Sequence, residues 1–143
     1  MTLLGFLIAV SFAFAEPRSI LSFDSEWLFF KGDAPGAESV TYDDWKWRTL
    51  DVPHDWSIEG PFAAENPTGA PGGFLPADIG WYRKHFTLAE EYVGRRIFIE
   101  FDGVMANSDV WINGVHLGKR PYGYVSFGYE LTGKLRFLSP IDS

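Results

Sequence analysis

The chain has 143 residues, 46% of them hydrophobic and 22% charged, which fits one folded domain and argues against a disordered chain. A net charge of −7 with no basic stripe repels nucleic acid. Cysteine is absent, so no disulfide staples the fold and it must rest on an apolar core.

Residues 1–15, "MTLLGFLIAVSFAFA", are apolar and end in Ala13-Phe14-Ala15, a small-x-small cleavage pattern. They read as a secretory signal peptide, with a buried strand or helix as the alternative, and the run is too short for a membrane span. Cleavage would leave 143 − 15 = 128 residues from Glu16, in a secreted or periplasmic protein. The domain is then residues 16–143.

The rest reads as strands. "EWLFFKG", Glu26 to Gly32, is the first. "GWYRKHFTL", Gly80 to Leu88, alternates Trp81, Arg83, His85 and Thr87 on one face with Tyr82, Lys84, Phe86 and Leu88 on the other. "RRIFIEFDGV", Arg95 to Val104, is rich in β-branched and aromatic residues. Ser108–Gly114 and Val115–Arg120 are expected to form a hairpin, because Asn113-Gly114 suits a type I′ turn with φ > 0 at both central positions. Tyr124–Leu131 is one more strand. Tyr42–Leu50, "YDDWKWRTL", has room for one helical turn capped by Asp43 or Asp44. Short strands with frequent turns predict an all-β fold, a sandwich or jelly roll.

Gly60 to Gly80 breaks the pattern, with 5 Gly and 4 Pro in 21 residues. So long a loop is expected to be functional, and its Phe62, Phe74, Leu75 and Ile79 need somewhere to pack.

Ahead of that loop lies "LDVPHDWSIEGPF", Leu50 to Phe62. Neighbours on an extended chain point apart, so His54 and Asp55 are not expected to couple as in a nucleophilic triad, and no serine sits in a nucleophile elbow. His54, Asp55 and Trp56 are read as shaping the loop, the polar pair meeting backbone N–H groups and Trp56 packing beneath. Asp43–Asp44 and Glu90–Glu91 are expected to be solvated turn residues, not the two facing carboxyls of a glycosidase. Trp45, Trp47, Trp56, Trp81 and Trp111 could stack on sugar rings, but most are expected in the core. His54, His85 and His116 are far apart, so no metal site is expected, and no cofactor.

Taken together, "LDVPHDWSIEGPF", "NPTGAPGGFLPADIGWYRKHF" and "IEFDGVMANSDVWINGVHLGKRPYGYVSFGYELT" resemble the N-terminal sugar-binding domain of glycoside hydrolase family 2, the β-galactosidase type. The resemblance covers about Phe23 to Leu135 and implies a jelly-roll, galactose-binding-like β-sandwich. It implies a β-galactoside as the carbohydrate partner of the parent enzyme, and it makes Asn66, in "ENPTG", the residue that reaches toward the sugar. Some members carry an Asp after the hairpin; here that place falls near Tyr122, a candidate contact without a carboxylate. The catalytic glutamates of the family belong to a later barrel that follows an immunoglobulin-like domain, so no catalytic residue is expected here. Relatives that bind Mg²⁺ or Na⁺ hold it mainly elsewhere. The expected reading is a C-terminally truncated, non-catalytic piece of a glycosidase that could form a homo-oligomer. A stand-alone carbohydrate-binding module and a structural docking domain are the alternatives.

Overall fold

The computed structural model describes residues 18–136. The expected signal segment lies outside them, as do residues 137–143 of the C-terminal stretch. Among the described residues the fold is an all-β sandwich of seven short strands. These are β1 (Trp27–Lys31), β2 (Arg48–Leu50), β3 (Gly80–Arg83), β4 (Phe98–Phe101), β5 (Ser108–Ile112), β6 (Val115–Arg120) and β7 (Phe127–Glu130). They pair as a three-stranded sheet β2-β1-β3 and two antiparallel pairs, β4-β7 and β5-β6.

Strand β1 is the centre of the first sheet. Phe29 faces Arg48 of β2 and Tyr82 of β3, while Leu28 faces Thr49 and Arg83. Period two thus sends Phe29 and Tyr82 to one face and Leu28, Phe30, Trp81 and Arg83 to the other. On the second face Trp47 is buried with Ala34 and Ala37, and Leu28, Tyr42 and Trp81 pack against them. Phe30 stacks on Trp47 at 5.5 Å. Burying one such aromatic contributes about 2–3 kcal/mol.

Tyr42–Leu50 holds the expected single turn, closed by Trp47 N–H to the Asp44 carbonyl, with Asp43 Oδ1 accepting the Trp45 N–H at 3.4 Å, but it is a β-turn and not helical, and its last three residues form β2. The expected strand to Leu88 stops at Arg83, where its pairing with β1 ends opposite Leu28.

The hairpin forms as expected, with Asn113 at φ 50° and Gly114 at φ 81°. Its register shifts at Val110/Trp111, so that Leu117 is the extra residue of a β-bulge. Trp81 stacks on Trp111 at 5.5 Å and joins the first sheet to the hairpin, while Phe101 stacks on its cross-strand partner Phe127 at 5.0 Å within the β4-β7 pair. The Arg120 guanidinium lies 5.1 Å above the Phe127 ring.

Candidate functional site

The Phe29 face of the first sheet carries the "PHDW" segment. Asp55 takes up an extended conformation and its carboxylate accepts the Ser57 N–H at 2.9 Å, capping the short helical turn Trp56–Glu59. His54 points elsewhere, as neighbours on an extended chain must. Its Nδ1 lies 2.8 Å from the Tyr82 hydroxyl and its Nε2 lies 3.1 Å from Glu59 Oε1 and 3.0 Å from an Arg48 nitrogen. Arg48 also donates to both Glu59 oxygens, at 2.8 and 2.9 Å. The Arg48 hydrogen bond first, and then that of His54, hold the Glu59 carboxyl below its ordinary value. Burial, reinforced by the Asp55 and Glu59 charges, pushes the Tyr82 hydroxyl up to about 12. Trp56 packs so closely over Gly80 that a Cβ there would sit 2.7 Å from its Nε1. Lys31 Nζ covers the Trp56 ring at 4.8 Å.

The opposite face holds an ion pair that local sequence reasoning missed. Asp44 is not a solvated turn residue: its side chain is 13% exposed, and Oδ2 accepts from Arg83 Nε at 2.7 Å and lies 2.8 Å from His85 Nε2. Arg83 also donates to the carbonyls of Ala37 and Ser39. Burial pushes the Asp44 carboxyl up, but the hydrogen bonds and charges of His85 and Arg83 outweigh it and leave it below its ordinary value. Alternation along Gly80–Leu88 already placed Arg83 and His85 on one face. Their acceptor was hidden because it lies 39 and 41 residues away. Glu90 and Glu91, in contrast, lie exposed in a helical turn.

The Gly60–Gly80 loop has internal order. It contains the short helical turn Ala70–Gly72. Asn66 Nδ2 donates to the Pro61 carbonyl at 2.9 Å and to the Phe74 carbonyl at 2.6 Å. Thr68 donates to the Leu75 carbonyl at 2.7 Å. Phe62, which needed somewhere to pack, is instead 72% exposed. Tyr122, in the turn after β6, is exposed and meets Tyr124 edge to face at 5.7 Å. Among the described residues no group of three or more His, Cys, Asp or Glu side chains could hold a metal ion. None of their helices is long and apolar enough to cross a membrane.

No family model matches the chain. Individual relatives do. The chain is 49% identical over 130 residues to the β-galactosidase BoGH2A of Bacteroides ovatus, covering 91% of this chain and 15% of the relative. It is 51% identical to a crystallised β-glycosidase from Bacteroides vulgatus, at a TM-score of 0.78 over 80% of this chain and 15% of that one. A glycosyl hydrolase family 2 member from Bacteroides cellulosilyticus superposes at a TM-score of 0.80, with 41% identity, over 83% of this chain and 16% of its own. The chain belongs to glycoside hydrolase family 2. A further relative, a putative β-glucuronidase of Formosa agariphila, is 40% identical over 94% of the chain and 13% of its own length. The chain therefore matches only about a seventh of the length of these family 2 proteins, in a segment with the β-sandwich fold.

Proposed function

We propose that this chain is the N-terminal sugar-binding domain of a family 2 glycosidase that hydrolyses β-galactosides with retention. In this reading the domain shapes the rim of the active site and does not catalyse. The observation that carries it is the 49% identity to a β-galactosidase over 91% of the chain. The Gly60–Gly80 loop, with Asn66 at its neck, is the segment that serves the sugar, and Tyr122 is a second contact. His54, Asp55 and Trp56 hold the base of that loop against the first sheet. Support comes from the cap on Ser57, the His54–Tyr82 hydrogen bond and the packing of Trp56 on Gly80. Glutamates in the rest of the parent enzyme would supply the acid/base and the nucleophile of a retaining mechanism.

Two assays test this. The 143-residue chain should leave an aryl β-galactoside intact; turnover would overturn the non-catalytic reading. Calorimetric titration with galactose should show weak binding that Asn66→Ala removes. A flat titration of folded protein would remove the sugar-contact reading and leave a docking domain.

The 40% identity to a putative β-glucuronidase favours a second reading, in which the parent acts on β-glucuronides. Titration with glucuronate beside galactose separates the two. Export is part of the same proposal: amino-terminal sequencing of the protein from cells should begin at Glu16, and a retained Met1 would rule it out.

A further inference from the structure

The hydrogen bonds around Asn66 bear on how it would serve the site. Its two amide hydrogens are both used inside the loop, on carbonyls five and eight residues away in opposite directions along the chain. Those carbonyls belong to Pro61 and Phe74, the two sides of the loop's neck. The backbone repeats the closure: Ala63 N–H donates to Phe74 O, and Phe74 N–H donates to Gly69 O. Thr68 Oγ1 adds a bond to Leu75 O. Phe74 sits at φ 55°, a left-handed conformation unfavourable to a side chain this bulky, and it persists where its surroundings over-determine it. Among the described residues no donor meets Asn66 Oδ1, so that oxygen is the one polar atom of the side chain left for a ligand.

We infer that Asn66 is a positioning residue: its carboxamide locks the neck of the Pro61–Leu75 loop, so that the loop is a preformed arm and not a flap that folds over sugar. This deepens the proposed function, on which the word "sugar" rests, while the lock itself does not depend on it. An arm ordered in advance spends no binding free energy on ordering, so sugar affinity follows the closed fraction of the loop. Any direct contact by Asn66 is then confined to accepting a hydroxyl hydrogen at Oδ1.

The test is hydrogen exchange of the full chain without sugar, comparing the wild type with Asn66→Asp, Asn66→Ala and Thr68→Val. Asn66→Asp keeps size and acceptor but has no donor for the two carbonyls. It should speed exchange of the Gly69 and Phe74 amides about tenfold or more, with β1 and β3 amides unchanged. Thr68→Val should do the same more weakly, and it keeps the lock testable if the Asn66 variants fail to fold. Loop amides that exchange at the wild-type rate in all variants that fold would overturn the inference. So would a wild-type loop that gains protection only when galactose is added. Titration with galactose gives the second readout. Under positioning, Thr68→Val loses affinity in proportion to its loop opening, although its Asn66 is intact. If Thr68→Val opens the loop and still binds as the wild type does, Asn66 acts by contact and positioning is wrong. If the wild type binds neither galactose nor glucuronate, the sugar reading fails, and the exchange rates still decide the lock.

Discussion

Asp44 gathers two donors on one oxygen in a site largely shielded from water, and that determines its response to acid. Its carboxyl is held below the ordinary 3.8 in the folded state, so the charged pair stabilises the fold above that pH. The contribution is lost as pH falls through the lowered folded value. Asp44→Asn should therefore cost about 2–3 kcal/mol near neutrality, because it leaves the Arg83 guanidinium without its carboxylate. It should also flatten the acid limb of a plot of Tm against pH. An acid limb identical to that of the wild type would show that other carboxylates carry the effect. Tyr82 works at the other end of the scale. Its folded value is about 12, against about 10 in the unfolded chain. A raised acid keeps its full contribution below about pH 10 and loses it between about 10 and 12. Tyr82→Phe should lose about 1 kcal/mol at neutral pH, from the His54 hydrogen bond, and should melt with a shallower alkaline decline than the wild type. Parallel alkaline limbs would contradict the buried hydroxyl.

At the level of elements, the first sheet is covered on both faces by segments with little regular structure. Residues 33–47 lie over the Trp47 face and residues 52–59 over the Phe29 face, so single close contacts decide how well each cover fits. Gly80 under Trp56 is one of them. Gly80→Ala would drive a methyl into Trp56 and Phe29, and overpacking of this kind costs about 1–3 kcal/mol. Trp fluorescence during denaturant unfolding would register it as a lower midpoint; an unchanged midpoint would mean that Trp56 can move aside freely. The β5-β6 hairpin makes a local turn but depends on Trp81–Trp111 stacking for its place beside the first sheet. Trp111→Ala should cost about 3 kcal/mol or more and loosen the hairpin first, read as faster exchange of the β5 and β6 amides than of β1.

At the scale of the whole fold, no large side chain among the described residues is fully enclosed. Phe29, Trp47, Phe127 and Leu131 are buried, while Trp45 is 74%, Met105 81% and Tyr124 85% exposed. Where such residues adjoin, as Tyr122 and Tyr124 do, exposed apolar surface can mark a face that meets something else. Sedimentation at rising concentration should show self-association of the 143-residue chain, and a monomer throughout would argue that these faces are too scattered to pair. The chain matches about a seventh of the length of the family 2 proteins it is similar to.

Local rules account for what was legible in advance. The Asn113-Gly114 turn, the alternation through Gly80–Arg83 and the all-β class depend on φ preferences and on period two, which a short stretch of chain carries with it. The divergence of His54 and Asp55 follows from the same geometry of an extended backbone. The resemblance to family 2 was legible for a different reason, because whole segments were shared in order. What tertiary structure alone decided are the meetings of residues distant in the chain. These include Asp44 with Arg83 and His85, Arg48 drawn into a strand by Phe29, and Trp56 pressed on Gly80. It also decided where the Asn66 amide hydrogens go, since the neck closes only when Pro61 and Phe74 come together. Each depends on which partner the folded chain brings within hydrogen-bonding or van der Waals reach, and neither propensity nor spacing encodes that.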